Sequence, residues 1–259
     1  MAATCLTPEQ LDAFAGDGFV RVPGAVPREI ARQCAEILWA QLGVDPDVPS
    51  SWPGPVVRVG TSGPPFDVAA NTPVLLAAFD QLVGPGAWVP RADCGLVVAR
   101  FPSSEEPGDT GWHVELSFHP EGMDWPGDGN WRTNVASRGR ALLMLFLFTD
   151  VGPDDAPTRV RVGSHLDVPA VLAPAGEYGL RDAGVESVTR SRTEALATGE
   201  AGDVYLCHPF LVHAAQPHHG MRPRLMAQPG LDSVVPFALT GRAEECHPVE
   251  AAILRGLGR

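Results

Sequence analysis

The sequence contains no lysine, and all 19 residues of the Lys/Arg class are arginine. This absence excludes Schiff-base catalysis, which needs a lysine amine, and the phosphate-binding loop whose motif ends in lysine. Any bound anion must therefore be held by arginine side chains or by backbone N–H groups. The formal net charge of −12 at pH 7 also disfavours nucleic acids and anionic lipid surfaces as partners, which leaves a small molecule as the expected one.

Paired cysteines and long apolar runs are also missing. The five cysteines are widely spaced and contain no C-x-x-C pair, so the sequence predicts neither a disulfide framework nor a thiolate zinc site. The N-terminal residues lack the charged and apolar regions of a signal peptide, and the longest apolar run, 141–148, is far shorter than a membrane span. These features predict a cytoplasmic protein that does not insert into a membrane.

Helix signals dominate the chain up to about residue 85. Thr7-Pro8-Glu9-Gln10 has the pattern of a capping box at the start of a helix, and residues 18–22 follow as a short strand. Pro27 begins a second helix, and Thr72-Pro73 begins a third that ends near Gly84. The sequence therefore predicts a helical part over about residues 1–85.

From about residue 86 to 232 the pattern changes to short apolar or alternating runs separated by Gly, Pro and Asp, which is typical of strands. These runs are 96–101, 141–151, 158–162, 204–207 and 225–228. A last amphipathic segment, about 247–257, predicts a closing helix. We therefore expect one domain over residues 1–259, mainly β with flanking helices and with a double-stranded β-helix (jelly roll) core.

His113-Val114-Glu115 is the motif that carries the most chemical information. On a strand, side chains two positions apart point to one face, so His113 and Glu115 can reach the same metal ion. With His213 they make two imidazoles and one carboxylate, the donor set of the facial triad in non-haem Fe(II) oxygenases. Two loops rich in Gly, Pro and acidic residues, 102–109 and 120–130, are expected to border this site.

The residues alone leave other ligand sets open. His165-Leu166-Asp167 offers a second His-x-acid pair, although its flanks favour a turn into a helix capped by Ser164 or Asp167. A compact cupin-like set of His113, Glu115 and His119 is a third option, against which Pro120 and the lack of an H-x-H motif count.

The remaining candidate residues lie in the C-terminal half or are tryptophans. His208, next to Pro209, is expected to hydrogen-bond backbone, and His218 and His219 are expected to be solvated. Arg224 follows His213 by eleven positions and could grip a carboxylate with its planar fork, unless it is a surface arginine in an ion pair. Trp112, Trp125 and Trp131 could line an apolar pocket or pack in the core.

Over most of its length the chain resembles the phytanoyl-CoA dioxygenase family of Fe(II)/2-oxoglutarate-dependent oxygenases. Several dispersed motifs carry the resemblance, and they occur in the family's order. These are Leu6-Thr7-Pro8-Glu9-Gln10 with Gly18-Phe19-Val20, Trp112-His113-x-acid, the stretch 154–165 ending in Val162-Gly163-Ser164-His165, then Gly202-Asp203, Val212-His213 and Arg224. Motifs dispersed in one order are far more specific than any one of them.

The resemblance implies Fe(II), 2-oxoglutarate and O₂ as cofactor and co-substrates, with oxidation of a C–H bond of a small metabolite. It implies His113, Glu115 and His213 as the iron ligands and Arg224 as the residue that binds the distal carboxylate of 2-oxoglutarate. Thr158 and Arg58 occupy places that resemble positions near the co-substrate. His165 falls in the family's Gly-Ser-His turn, which is not a ligand position.

One residue departs from the family, since Glu115 stands where an aspartate is usual. The longer carboxylate remains a competent ligand, and it fills the coordination position that a halide would need, so halogenation is disfavoured. Two alternatives remain open: a cupin-like metalloenzyme that does not use 2-oxoglutarate, and a non-catalytic jelly-roll binding protein. The sequence reveals neither the substrate nor the oligomeric state.

Overall fold

The computed structural model describes residues 6–120 and 130–259. Seven helices are present in these ranges: α1 Pro8–Asp17, α2 Arg28–Leu42, α3 Pro64–Ala70, α4 Pro73–Val83, α5 Val168–Leu172, α6 Val185–Val188 and α7 Pro248–Gly256. The same ranges contain ten strands: β1 Phe19–Val22, β2 Val56–Gly60, β3 Leu96–Arg100, β4 Leu142–Leu147, β5 Arg159–Arg161, β6 Glu194–Leu196, β7 Val204–Cys207, β8 His213–Ala214, β9 Arg224–Ala227 and β10 Gly230–Leu231.

The strands form two antiparallel sheets. The larger sheet has seven strands in the order β1-β7-β4-β9-β3-β2, with β10 pairing to β4 outside this path, and the smaller has the order β6-β5-β8. An apolar cluster joins the sheets, because it contains Leu145 of β4 and Met226 of β9 together with Val160 of β5. Two sheets packed in this way, with helices on the outside, confirm the predicted jelly-roll fold.

Strand β4 explains the longest apolar run of the sequence. All six of its residues are buried, since β4 lies between β7 and β9 in the larger sheet. Leu143, Leu145 and Leu147 face the smaller sheet. Leu142, Met144 and Phe146 belong to the main apolar cluster, which also contains Phe14 of α1 and Leu38 of α2. A strand covered on both faces reads as a continuous apolar run rather than as an alternation.

The helix ends follow local rules. The capping box at α1 is present, with Thr7 and Gln10 exchanging side chain to backbone hydrogen bonds. Gly18 ends α1 at φ 86°, where an added Cβ would lie 2.5 Å from Nδ1 of His165. Helices α2 and α4 match the predicted ones, whereas α3 and β2 lie in segments for which no element was expected. No helix of the described ranges is both long and apolar enough to cross a membrane.

Candidate metal centre

His113 and His213 are neighbours in the backbone. The segment around His113 forms a single antiparallel bridge to His213, so the expected regular strand at this place is wrong. Each residue donates its N–H to the carbonyl of the other at 3.0 Å. Directly opposed residues in an antiparallel pair project to the same face, and the two imidazole rings indeed lie with their centroids 4.4 Å apart.

Glu115 completes a cluster with the two imidazoles. Its Oε1 lies 3.7 Å from Nε2 of His113 and 3.4 Å from Nε2 of His213. Val114 is buried in an apolar cluster instead, as expected for alternation along an extended segment. The nearest donor atoms of the three residues all lie within 4.8 Å of one another, while neighbouring ligands of an octahedral ion at about 2.1 Å would be about 3 Å apart.

Backbone carbonyls orient both imidazoles. Nδ1 of His113 lies 2.9 Å from the carbonyl of Gly111, and Nδ1 of His213 lies 3.0 Å from the carbonyl of Leu211. A carbonyl only accepts, so each Nδ1 carries the proton and each Nε2 offers a lone pair toward Glu115. Nε2 of His213 is buried and makes no hydrogen bond to any described residue. Two oriented imidazoles beside a carboxylate, one with an unsatisfied buried nitrogen, fit a divalent metal.

Electrostatics keep Glu115 ionised. Burial raises the pKa of Glu115, but the close contacts of its carboxylate with the imidazoles of His113 and His213, together with the charge of Arg140, outweigh burial, so its pKa lies well below the usual range. Burial lowers the pKa of His113, and its contacts with Glu115 and the Gly111 carbonyl reverse that effect, so the net shift is upward. The carboxylate is therefore in the charged state that metal binding requires.

A cavity of about 510 Å³ opens beside these three residues, and Arg58 and Thr158 line it. Nη2 of Arg58 contacts Oδ2 of Asp109 at 2.6 Å. Oγ1 of Thr158 accepts a hydrogen bond from Nε2 of Gln228 at 3.1 Å and lies 3.3 Å from Sδ of Met226. The structure thus places five of the six candidate site residues around one space.

Arg224, the sixth, lies beneath the cavity wall. It is 2% exposed, so the alternative of a surface arginine in an ion pair is wrong. Its Nη1 donates to the carbonyl of Ala156 at 2.6 Å and its Nη2 to the carbonyl of Val98 at 3.2 Å. Burial, followed by the charge of Arg100, lowers the pKa of Arg224 to about 9. Arg224 is not among the described residues that line the cavity, whereas Val98 is.

Three polar side chains of the cavity were not anticipated from the sequence: Arg100, Asp109 and Gln228. Arg100 and Gln228 stand at the ends of segments that were recognised as strands, and Asp109 ends a loop that was expected to border the site. Nη2 of Arg100 holds both oxygens of Asp109, at 2.7 and 2.8 Å. The alternation of side chains along the strand could have indicated Arg100, because Arg100 projects to the same face as Leu96 and Val98.

The rival histidine and acid pairs point elsewhere. His165 is fully buried in a short 3-10 helix, with its ring 5.0 Å from that of His208, and Asp167 pairs with Arg192 at 2.7 and 2.8 Å. The turn into helix α5 is as predicted, but neither Ser164 nor Asp167 makes a capping hydrogen bond. Within the described ranges, only the set of His113, Glu115 and His213 brings three such ligands together.

The other histidines have different roles. His119 is exposed and lies against Trp131, with ring centroids 4.0 Å apart. His208 accepts from the N–H of Phe210 through Nδ1 and contacts the carbonyl of Val249 through Nε2, as predicted. The prediction that His218 is solvated is wrong, because its exposure is 4% and its Nδ1 accepts from Gly220.

His219 is exposed, in agreement with the sequence. Of the three tryptophans, Trp112 contacts the guanidinium groups of Arg159 and Arg161, whose Cζ atoms lie 4.7 and 4.2 Å from its ring centroid. Trp125 lies outside the described residues, as does most of the expected loop 120–130. Trp112 also packs against an apolar cluster, and it is not among the described residues that line the cavity.

The candidate site lies in the part of the chain that matches a known protein family. The family model described as phytanoyl-CoA dioxygenase (PhyH) matches residues 66–226, a range that contains all three candidate metal ligands and Arg224. The sequence matches none of the curated proteins with which it was compared.

Solved structures with the same fold share little sequence with this chain. The α-ketoglutarate-dependent carbocyclase SnoK of nogalamycin biosynthesis is 17% identical, with 88% of this chain and 84% of that chain covered and a TM-score of 0.61. HygX from Streptomyces hygroscopicus, solved with nickel and 2-oxoglutarate, is 22% identical, with 89% and 88% covered and a TM-score of 0.56. The epimerase SnoN, also of nogalamycin biosynthesis, is 17% identical, with 85% and 79% covered and a TM-score of 0.53.

Proposed function

Because the chain belongs to the phytanoyl-CoA dioxygenase family and is thereby an Fe(II)/2-oxoglutarate-dependent dioxygenase, we propose that it oxidises a C–H bond of a small metabolite at the centre formed by His113, Glu115 and His213. The observation that carries this proposal is the convergence of these three ligands on one point beside a cavity. Hydroxylation is the outcome that we propose.

Iron and 2-oxoglutarate, when bound, supply the oxidising power by activating O₂, with succinate and CO₂ as products. The role of the chain is to hold and orient these groups. His113, Glu115 and His213 would hold the metal through two imidazole nitrogens and one carboxylate oxygen, a donor set that suits Fe(II). Arg224 provides the positive charge for the distal carboxylate of 2-oxoglutarate, and Thr158 and Arg58 line the cavity beside the three candidate ligands.

The cavity supports a small substrate. Its volume of about 510 Å³ lies in the usual range for sites that bind metabolites, about 300–1,000 Å³. Proteins of this fold include a carbocyclase, an epimerase and a protein solved with hygromycin B, so natural products are the class of substrate that we propose to test first.

The cellular location that we propose is the cytoplasm. Cys34, Cys94, Cys207 and Cys246 are all free thiols, and three of them are buried. Burial raises the pKa of Cys34 to about 12, so this thiol stays protonated and unreactive. Free thiols fit a reducing compartment.

Anaerobic titration with Fe(II) and then 2-oxoglutarate tests the function. We expect the weak visible charge-transfer band of the chelated metal, and succinate release once air and a substrate are admitted. A metal-binding protein without the band would favour the cupin-like alternative. A protein that binds no iron would favour the non-catalytic one.

The ligand choice has its own control. His113→Ala should abolish the band, and His165→Ala should retain it in protein that remains folded. The reverse pattern would show that the iron site had been assigned to the wrong histidine.

A further inference from the structure

Arg100 and Arg224 stand directly opposite each other on neighbouring strands. The pairing of β3 with β9 places the two Cα atoms in register, so both side chains project to the same face of the sheet. Their exposures are only 3% and 2%. Like charges in direct opposition destabilise a sheet, and burial adds the cost of removing both guanidinium groups from water.

The described residues neutralise this pair only in part. Asp109 is the carboxylate that contacts Arg100, through Nη2 alone. Arg224 has no carboxylate contact in the described ranges, and its two Nη groups are satisfied by the carbonyls of Ala156 and Val98. Asp109 also pairs with Arg58, so its single negative charge is shared between two arginines. The cluster therefore retains excess positive charge.

Unused hydrogen-bond donors accompany the excess charge. Nε and Nη1 of Arg100 and Nε of Arg224 are buried and have no partner among the residues that the structure describes. Buried donors are rarely left unsatisfied, because each one costs the full price of its desolvation. A bound ligand that carries a hydrogen-bond acceptor would satisfy these donors.

Arg100 also faces the proposed site. It lines the same cavity as His113, Glu115 and His213, whereas Arg224 is not among the described lining residues. Arg58 lines the cavity as well, but its side chain is half exposed, so water screens its charge. Among the arginines that line this cavity, Arg100 is thus the one that is almost fully buried.

We propose that Arg100 is a second arginine for the distal carboxylate of 2-oxoglutarate, which it holds together with Arg224. This inference rests on the proposed function, in which that carboxylate is the negative group of the co-substrate remote from the metal. The carboxylate accepts hydrogen bonds from the unpaired N–H groups of Arg100 and Arg224, and its negative charge offsets the repulsion between the two guanidinium groups. Asp109 contacts only Nη2 of Arg100, so Nη1 and Nε remain available to the ligand.

A comparison of two oxoacids tests the role of Arg100. 2-Oxopentanoate has the same carbon chain as 2-oxoglutarate with a methyl group in place of the distal carboxylate. Both would be titrated anaerobically into the Fe(II)-loaded protein, with the charge-transfer band as the readout. We expect Arg100→Met to weaken 2-oxoglutarate binding about 10- to 100-fold and to leave 2-oxopentanoate binding unchanged.

Asp109→Asn separates a binding role from a structural one. If Arg100 binds the co-substrate, this variant keeps the affinity for 2-oxoglutarate at or above that of the wild type, because the competing carboxylate is removed. If Arg100 serves only to anchor the loop through Asp109, the variant loses affinity as Arg100→Met does. Arg32→Met, which removes an exposed arginine of α2, is the matched control and should behave as the wild type.

Arg100→Lys keeps the proposal testable if the methionine variant does not fold. It retains the charge but loses the planar donors, so we expect a partial loss of affinity for 2-oxoglutarate alone. The proposal is overturned if these Arg100 variants keep the wild-type ratio of the two affinities, or if Asp109→Asn reproduces their loss. A wild-type protein that binds iron but gives no band with 2-oxoglutarate overturns the proposed function itself, which is a different result.

Discussion

His113 and His213 bind each other through their backbones, with each N–H donating to the carbonyl of the other at 3.0 Å. The pairing also connects to the smaller sheet, because His213 is the register partner of Val160 in β5. The two backbones are therefore positioned by these hydrogen bonds, and the carbonyls of Gly111 and Leu211 orient the two rings. Such preorganisation suits a metal site, whose ligands must converge without a large loss of entropy.

Loss of one imidazole should abolish iron binding. Removal of a residue that only hydrogen-bonds to a metal ligand weakens metal binding about 10- to 100-fold. We expect His213→Ala to lower the iron affinity by more than this. Iron content after anaerobic reconstitution measures the effect. His119→Ala is the control, because His119 lies against Trp131 outside the cluster. Equal iron loss in the two variants would contradict the ligand assignment.

Removal of the Glu115 carboxylate should open a coordination position. The carboxylate lies between the two imidazoles, 3.4 and 3.7 Å from their Nε2 atoms. We expect chloride to shift the charge-transfer band of Glu115→Ala in the presence of 2-oxoglutarate and to leave the wild-type band unchanged. Glu115→Asp, which restores a carboxylate one methylene shorter, should resist chloride. A wild-type protein with a chloride-sensitive band would show that Glu115 does not fill that position.

Acid should destabilise the fold through His165. Burial lowers the pKa of His165 from 6.5 to about 4, so between these pH values the unfolded chain binds more protons than the folded one. The contribution of neutral His165 is complete above pH 6.5 and is lost as the pH falls to about 4, which amounts to about 3 kcal/mol of unfolding free energy. His208 shifts in the same direction, because burial lowers its pKa well below the usual value.

Chemical denaturation between pH 7 and pH 4 measures this loss of stability. His165→Gln should flatten the pH dependence, whereas His219→Gln, at an exposed position, should leave it as in the wild type. A steep dependence that survives in His165→Gln would assign the acid sensitivity to other groups.

Asp203 should stabilise the fold and be dispensable for the metal. It is 3% exposed, pairs with Arg21 at 2.6 Å and accepts the N–H groups of Gly24 and Glu200. The side chain of Arg21 is 40% exposed, so water screens this ion pair. The hydrogen bonds that the Asp203 carboxylate accepts are worth about 1.5–3 kcal/mol, so we expect Asp203→Ala to lose stability of this order. Thermal and urea unfolding measure it.

The iron content of the folded fraction provides the second measurement for Asp203→Ala. It should equal that of the wild type, because Asp203 contacts none of the three candidate ligands in the described part of the chain. Loss of iron from folded protein would mean that Asp203 supports the metal site. Glu244→Ala, at an exposed position of the C-terminal region, should change neither quantity.

Local signals predicted the elements well, because caps and apolar periods act over a few residues. The capping box at Thr7 and the buried run of β4 need no knowledge of the remaining chain. The weakest local prediction was the strand at His113, where a single bridge is present. The glycines and prolines around this segment limit its strand pairing. The adjoining segments also lie close together, since a Cβ atom added to Gly139 would be only 2.7 Å from the carbonyl oxygen of Ser117.

The sequence by itself determined which residues are able to bind iron and in which order they occur, since residue type and i, i+2 spacing are properties of the chain alone. The family resemblance already favoured His113-Val114-Glu115 over His165-Leu166-Asp167, and the tertiary structure supplies the physical reason, because it buries His165 and pairs Asp167 with Arg192. It alone revealed Arg100 opposite Arg224. Register between strands far apart in sequence depends on the packing of the whole core, and no local pattern encodes it.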